Sequence, residues 1–229
     1  MTSLLVDIGN TNIKWGVSDQ SGFRFLGRES LSEQCLRKII QQDYDIIRIS
    51  NVAGPEIEGC LRDDDRVEFA LSEKKSASGL VNGYASPEQL GADRWLAMKA
   101  AWAQSVGKCC VISCGTAITV DRVDAAGQHL GGLIFPGLQM MRNALASETE
   151  KLPHVAHDHI LSDAFLANNT VDAIVQGTLL GVTAFVEMQL NKTQAVFLTG
   201  GDAERVAQYL SSDITIDPHL VLKGLSINQ

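Results

Sequence analysis

The segment Val6-Asp7-Ile8-Gly9-Asn10-Thr11-Asn12-Ile13-Lys14 constrains this chain more than any other, because an apolar strand enters an acidic turn bearing glycine and a hydroxyl and leaves it as a second strand. A partial echo lies about a hundred residues on. There Val111-Ile112-Ser113-Cys114-Gly115-Thr116-Ala117-Ile118-Thr119-Val120-Asp121 again runs from apolar strand through a Gly-Thr turn into an alternating β-branched strand. Two hairpins of one kind, each opening one half of the chain, predict a duplicated phosphate-handling domain with a cleft between the halves.

Glycine lets the backbone approach an anion closely, and turn amides together with a Thr hydroxyl donate hydrogen bonds to phosphate oxygens. Asp7 repels a bare phosphate unless a divalent cation or its hydration shell stands between them. Lys14 supplies compensating positive charge. A plain hairpin turn is the alternative for either segment taken alone, and the repetition counts against it.

With 229 residues, 45% of them apolar, one domain or two small ones with a real core is expected. No apolar run approaches the roughly 20 residues that span a bilayer, and the N-terminus enters a strand at once, so the expectation is a cytoplasmic protein with no membrane partner. The five cysteines, Cys35, Cys60, Cys109, Cys110 and Cys114, show no framework spacing and read as reduced thiols. The last three fall on or beside a predicted buried strand, where core packing is favoured over metal ligation. A net charge of -8 argues against nucleic acid as a partner, so an anionic ligand must be held by local geometry.

The apolar pattern predicts strands at Ser3 to Asp7, Ile13 to Ser18 and Phe23 to Arg28, then a helix capped by Ser32 or Ser30 with Cys35, Ile39 and Ile40 on its apolar stripe. A strand at Asp45 to Ser50 and a helix from Pro55 to about Leu61 follow. Asp63-Asp64-Asp65 reads as a solvated turn, because adjacent carboxylates point in different directions. Glu68 to Leu71 completes the first sheet, and a long helix from Pro87 to about Gln104 packs through Leu90, Leu96, Ala97, Ala100 and Ala101. That helix separates an N-terminal domain, 1–106, from a C-terminal one, 107–229. The second half predicts strands at Cys109 to Ser113, Ala117 to Val123 and His129 to Ile134, a helix after Gly137, and helices at Thr170 to Asn191 and Asp202 to Ser211. Between the last two, a strand at Ala195 to Thr199 ends in Gly200-Gly201, a strand-to-helix turn suited to a nucleotide.

Taken in order, the Asp-Ile-Gly-Asn-Thr turn, Gly91-Ala92-Asp93-Arg94, Gly115-Thr116-Ala117-Ile118-Thr119, Gly131-Gly132-Leu133-Ile134-Phe135-Pro136-Gly137, Asn169-Thr170 and Thr199-Gly200-Gly201 resemble the motifs of type III pantothenate kinases. The resemblance covers nearly the whole chain. It implies an α/β fold of duplicated ribonuclease H-like domains, that of the acetate and sugar kinase/Hsp70/actin superfamily, and ATP-dependent phosphorylation of pantothenate, the first step of coenzyme A synthesis. It implies further that Asp93 is the general base, that Gly91, Ala92, Asp93 and Arg94 line the pantothenate pocket, and that Tyr84 is another substrate contact. Phosphoryl transfer asks for positioning and charge stabilisation with a carboxylate accepting the nucleophile's proton, and a guanidinium such as Arg94 suits a substrate carboxylate.

By the same resemblance, Asp7, Ile8, Gly9, Asn10, Thr11, Asn12, Ile13 and Lys14 form the first phosphate loop with Asp7 near Mg²⁺, and Gly115 and Thr116 belong to the second. Thr170 matches a family position that contacts pantothenate from the neighbouring subunit, which implies a homodimer; on sequence alone it equally suits a helix cap. One position departs from the pattern. Ser113 stands where the family usually has an Asp that contributes to a monovalent-cation site, for K⁺ or NH₄⁺, beside the ATP phosphates. Losing that charge puts the cation requirement in doubt, and Asp121 or backbone carbonyls are the available compensation.

Three alternatives remain. His154, His157 and His159, with Asp158 and Asp163 nearby, offer imidazoles to a transition metal, although Pro153 and the uneven spacing read as a surface loop. Ser113 is the main support for a non-catalytic regulatory protein that keeps the kinase fold, against which stand Asp7, Asp93 and Arg94. Another sugar or acid kinase of the superfamily shares the hairpins but not the Gly-Ala-Asp-Arg helix start.

Overall fold

A computed structural model describes residues 1–59, 61, 63–105, 107–159, 166–190, 194–211 and 214–227. Strand β1 (Ser3–Ile8) is buried along nearly its whole length, which is why it reads as a continuous apolar run. It pairs antiparallel with β2 (Asn12–Asp19) and parallel with β4 (Ile46–Asn51). With β3 (Gly22–Ser30) beside β2 and β5 (Val67–Phe69) beside β4, the first sheet has the order β3-β2-β1-β4-β5. Helix α1 (Glu33–Ile40) starts where the Ser32 hydroxyl accepts the Cys35 amide at 3.2 Å; Ser30 instead ends β3. Its Cys35, Leu36 and Ile39 pack against Leu4, Val6 and Ile8. The short α2 (Pro55–Gly59) follows β4.

The second sheet has the order β10-β9-β6-β7-β8, from β6 (Cys109–Cys114), β7 (Ala117–Val123), β8 (His129–Pro136), β9 (Ala195–Thr199) and β10 (Thr215–Ile216). Cys110, Ile112 and Cys114 share a core with Leu179, Val182 and Val186 of α5 (Thr170–Glu187), so these thiols do serve as small apolar core residues. Cys35, Cys109, Cys110 and Cys114 are buried thiols outside any disulfide, whereas Cys60 lies outside the described residues. By length and composition α5 could cross a bilayer, which the sequence reading did not anticipate; one face of it is buried in this core.

Two compact units result, one of Met1–Cys109, Asp121–Gly131 and His219–Gln229, the other of Cys110–Val120 and Gly132–Pro218. The end of β7 and the start of β8 therefore count with the first unit.

Several expected elements are corrected. The long helix does not begin at Pro87: a 3₁₀ turn at Pro87–Gln89 gives way to extended backbone at Leu90, and α3 runs Ala92–Gln104 from Gly91. The break is held by the Ser72 hydroxyl, which donates to the Leu90 carbonyl at 2.7 Å. Asp64 is not simply solvated, because both its oxygens engage the Arg66 guanidinium, the closer at 2.7 Å. Helix α4 (Leu138–Ser147) follows Gly137 as expected. Helix α6 (Ala203–Ala207) is shorter than the expected span, and α5 ends at Glu187, with Asn191 outside the described residues. Neither β10 nor α7 (Leu220–Ser226) was foreseen; α7 packs Leu222 and Leu225 beside Leu5 and Leu96.

Candidate active site

The β1–β2 hairpin places Asp7 directly across from Lys14, and the parallel pairing with β4 places Ser50 on its other side. Burial, partly offset by Lys14 and reinforced by Asp93, pushes the Asp7 carboxyl up to about 6. The Ser50 hydroxyl, fully buried and short of a well-formed hydrogen bond, moderates that rise slightly. Burial also lowers the Lys14 pKa, against the pull of Asp7, and Arg28 across the β2–β3 register adds to the lowering. At the turn the Gly9 amide donates to the Asn12 carbonyl at 3.0 Å, leaving Asn10 and Thr11 exposed. Ile8 and Ile13 point into the core, so they can meet a ligand only through backbone.

Asp93 lies in the first turn of α3 because the helix starts at Gly91 and Ala92 instead of Pro87. Its Oδ1 accepts the Arg94 amide at 2.8 Å and folds back over the helix start. A Cβ on residue 91 would sit 2.6 Å from that oxygen, so glycine is what leaves the carboxylate room. Burial raises the Asp93 pKa; the Arg94 amide and charge offset part of the rise and Asp121 adds to it. Two carboxyls that burial holds toward the protonated form thus share one neighbourhood, Asp7 and Asp93.

Arg94 is buried and its guanidinium grips Asp121 bidentately, Nε to Oδ2 at 2.9 Å and Nη2 to Oδ1 at 2.7 Å. Its Nη1 donates to the Tyr84 hydroxyl at 3.0 Å. Desolvation opposes the charge, but Asp121 and Tyr84 outweigh it and the Arg94 pKa is raised. A substrate carboxylate therefore cannot take the Nε–Nη2 edge and meets at most the Nη1–Nη2 edge. Asp121 is equally occupied, since His129 Nε2 lies 3.0 Å from its Oδ1.

In the second unit the β6–β7 turn is closed by backbone. The Gly115 amide donates to the Ala117 carbonyl at 3.1 Å, and Gly137 donates to the Thr116 carbonyl at 3.1 Å. A Cβ at Gly137 would lie 2.3 Å from the Gly115 oxygen, and one at Gly200, where φ is +98°, 2.3 Å from the Cys114 oxygen. The Asp202 amide also donates to the Cys114 carbonyl, at 3.0 Å. Gly115, Thr116, Gly137 and Gly200 are thus brought together, the Gly200-Gly201 turn among them.

Thr170 is exposed at the first position of α5, and the helix cap is Asn169, whose Oδ1 accepts the Asp172 amide at 2.9 Å; the capping role proposed for Thr170 falls to its neighbour. The three histidines do not converge. His157 Nε2 meets Asp202 Oδ1 at 2.8 Å, His159 Nε2 meets Asp172 Oδ1 at 2.7 Å, and His154 is exposed. Asp163 lies outside the described residues. The sequence reading missed Ser50 and His129; the signal for His129 was a histidine opening an otherwise apolar and glycine-rich strand.

Solved structures show the same fold. A proposed Baf family transcriptional activator from Campylobacter jejuni superimposes with a TM-score of 0.64 at 22% identity, covering 97% of this chain and 94% of that one. A proposed 2-dehydro-3-deoxygalactonokinase from Sinorhizobium meliloti gives a TM-score of 0.61 at 16% identity over 98% and 97%. The class is therefore the duplicated ribonuclease H-like fold. The Type III pantothenate kinase family model matches residues 3–192. Proteins of that name from Janthinobacterium sp. (strain Marseille) and Nitrosococcus oceani are 37% and 33% identical, each over 97% of this chain and over 95% and 92% of their own lengths. This chain belongs to the type III pantothenate kinase family.

Proposed function

We propose that this protein phosphorylates pantothenate with ATP to give 4'-phosphopantothenate, with Asp93 as the general base. The observation that carries the reading is the Asp93 carboxylate, half-buried at the opening turn of α3, folded back onto the Arg94 amide at 2.8 Å, with its pKa raised by desolvation. The pantothenate hydroxyl oxygen forms the new bond to the γ-phosphorus as the bond to the bridging oxygen of ADP breaks. The hydroxyl proton passes to Asp93, and ADP leaves with the electron pair of the broken bond. Gly91 and Ala92 shape the pocket beside Asp93, and Tyr84 and the open edge of Arg94 orient the substrate.

The residues from Asp7 to Lys14 are assigned to ATP phosphates through turn amides, the Thr11 hydroxyl and the Lys14 charge, with Gly115 and Thr116 as a second phosphate-binding turn. Asp7 fits a divalent cation: it is a hard oxygen donor whose charge is under-compensated by Lys14. Among the described residues no three His, Cys, Asp or Glu side chains gather as a cage, so Mg²⁺ would share Asp7, through water, with the nucleotide's phosphates. When bound, the cation neutralises charge on the transferring phosphoryl group.

The working protein is assigned as a cytoplasmic homodimer in which Thr170 contacts the partner's pantothenate. Supporting this, Ile134 on β8, Met140 on α4 and Leu180 on α5 are exposed apolar side chains that a second copy would cover. Ser113 leaves the K⁺ or NH₄⁺ site without its family carboxylate, and turnover independent of either ion is expected. The test is ADP formation with ATP and Mg²⁺, with and without pantothenate, in sodium and potassium buffers. Pantothenate-dependent turnover at equal rates in both is the expected result; no turnover from a folded protein would return the non-catalytic regulatory reading.

A further inference from the structure

Around Arg94 the first unit builds a circuit of side chains in which Asp121 and His129 have no assigned part in the reaction. Asp121 receives Arg94 on both oxygens, and its Oδ1 also meets His129 Nε2 at 3.0 Å. Asp121 and His129 are almost completely buried. The other ring nitrogen decides the tautomer: the Gly83 amide lies 3.4 Å from His129 Nδ1, and a backbone N–H can only donate. Nδ1 is therefore the acceptor, and Nε2 carries the hydrogen that goes to Asp121. The same imidazole stacks on the Tyr84 ring, centroids 5.8 Å apart and planes 15° apart. Its backbone amide donates to the Val81 carbonyl at 2.8 Å, tying the Tyr84 segment to the start of β8.

We infer that His129, as the neutral Nε2–H tautomer, is a positioning residue for pantothenate, orienting Arg94 through Asp121 and Tyr84 through ring stacking. The inference rests on the assignment of Tyr84 and Arg94 to pantothenate. Asp121 cancels most of the Arg94 charge, so the guanidinium recognises its ligand by directed hydrogen bonds, and their direction depends on how the Asp121 carboxylate is held. His129 supplies the third bond to that carboxylate. Without it one Asp121 oxygen loses a donor and the fork is free to rotate, which weakens substrate binding and leaves the ATP side untouched.

The test compares His129→Asn, which keeps an acceptor for Gly83 but does not reach Asp121, with His129→Gln, whose amide restores a donor toward Asp121. In His129→Asn the KM for pantothenate is expected to rise roughly tenfold, with kcat and the KM for ATP within about twofold, and His129→Gln is expected to recover most of the loss. A uniform fall in kcat, an unchanged pantothenate KM, or no recovery in His129→Gln overturns the inference. Because the site is buried, ¹⁵N-histidine NMR of the unmodified protein provides a reading independent of variant folding: a protonated Nε2 and bare Nδ1 are expected, and the opposite tautomer overturns the proposal. Tyr84→Phe, measured in parallel, separates the two levels. If it raises the pantothenate KM while His129→Asn does not, the His129 link alone fails; if neither moves it, the substrate assignment fails with it.

Discussion

The two hairpins proposed to bind phosphate, β1–β2 and β6–β7, are copies in outline that hold their turns by different physics. Aligned on their glycines, Asp7 corresponds to Ser113, Ile8 to Cys114 and Gly9 to Gly115. The first hairpin concentrates charge: a buried carboxylate pushed up to about 6, with Lys14 across the register and Asp93 nearby. The second has no charge at the matching position and relies on close approach, with the backbone at Gly137 and Gly200 pressed against the Gly115 and Cys114 carbonyls. Duplication thus preserved the shape of the turn while the charged chemistry stayed with one copy.

The most severe break of this comparison is Asp93→Asn, which removes the proposed base on the charged side. A fall in kcat of about a hundredfold or more is expected, with the thermal midpoint nearly unchanged. Wild-type turnover would remove Asp93 from its role.

On the other side, Gly200→Ala combines a left-handed backbone with a Cβ 2.3 Å from the Cys114 carbonyl oxygen, and is expected to destabilise by about 3 kcal/mol. The matched change Gly115→Ala meets nothing nearer than the Ala117 oxygen at 3.7 Å, and a loss within about 1 kcal/mol is expected. Equal losses in thermal melts would mean that close approach does not distinguish the second turn.

Asp7→Asn probes the stored charge. The folded pKa of about 6 lies above the ordinary 3.8, so the native state binds the proton more tightly and stability falls as pH rises between those values. Above pH 6 the full penalty, on the order of 2–3 kcal/mol, is present. The Asn variant should therefore melt several degrees higher at pH 8 and about the same at pH 4, while losing ATP-dependent turnover; a lower midpoint at pH 8 would show that Asp7 is stabilising where it stands.

The mildest change, Ser113→Asp, returns a carboxylate to the second turn. A stimulation of turnover by potassium over sodium of about twofold to fivefold is expected, against none expected in the native protein. Equal rates in both buffers would separate the cation requirement from this position.

Local pattern carried much of this. The sequence left the α1 cap between Ser32 and Ser30, whereas the apolar runs of β1 and β6 and the bounds of β7 and β9 follow from alternation that a few neighbouring residues settle. The start of α3 did not, because Pro87 is a good helix opener and only the distant Ser72 hydroxyl on the Leu90 carbonyl shows where the chain breaks. Helix α7 escaped for a related reason: it is one short amphipathic stretch that stands only by packing on Leu5 and Leu96.

The sequence by itself determined the paired hairpins and the family, and singled out Asp7, Asp93 and Arg94 as candidate site residues, since all of these live in contiguous motifs. Tertiary structure alone decided what those groups face. Arg94 and Asp121 are 27 positions apart and His129 eight further on, yet strand pairing and burial bring them together, and their ion pair commits the Nε–Nη2 edge of a guanidinium that the sequence only showed to suit a carboxylate. Burial likewise sets the pKa of Asp7 and Asp93, because desolvation depends on everything packed around a carboxylate and not on its neighbours in the chain.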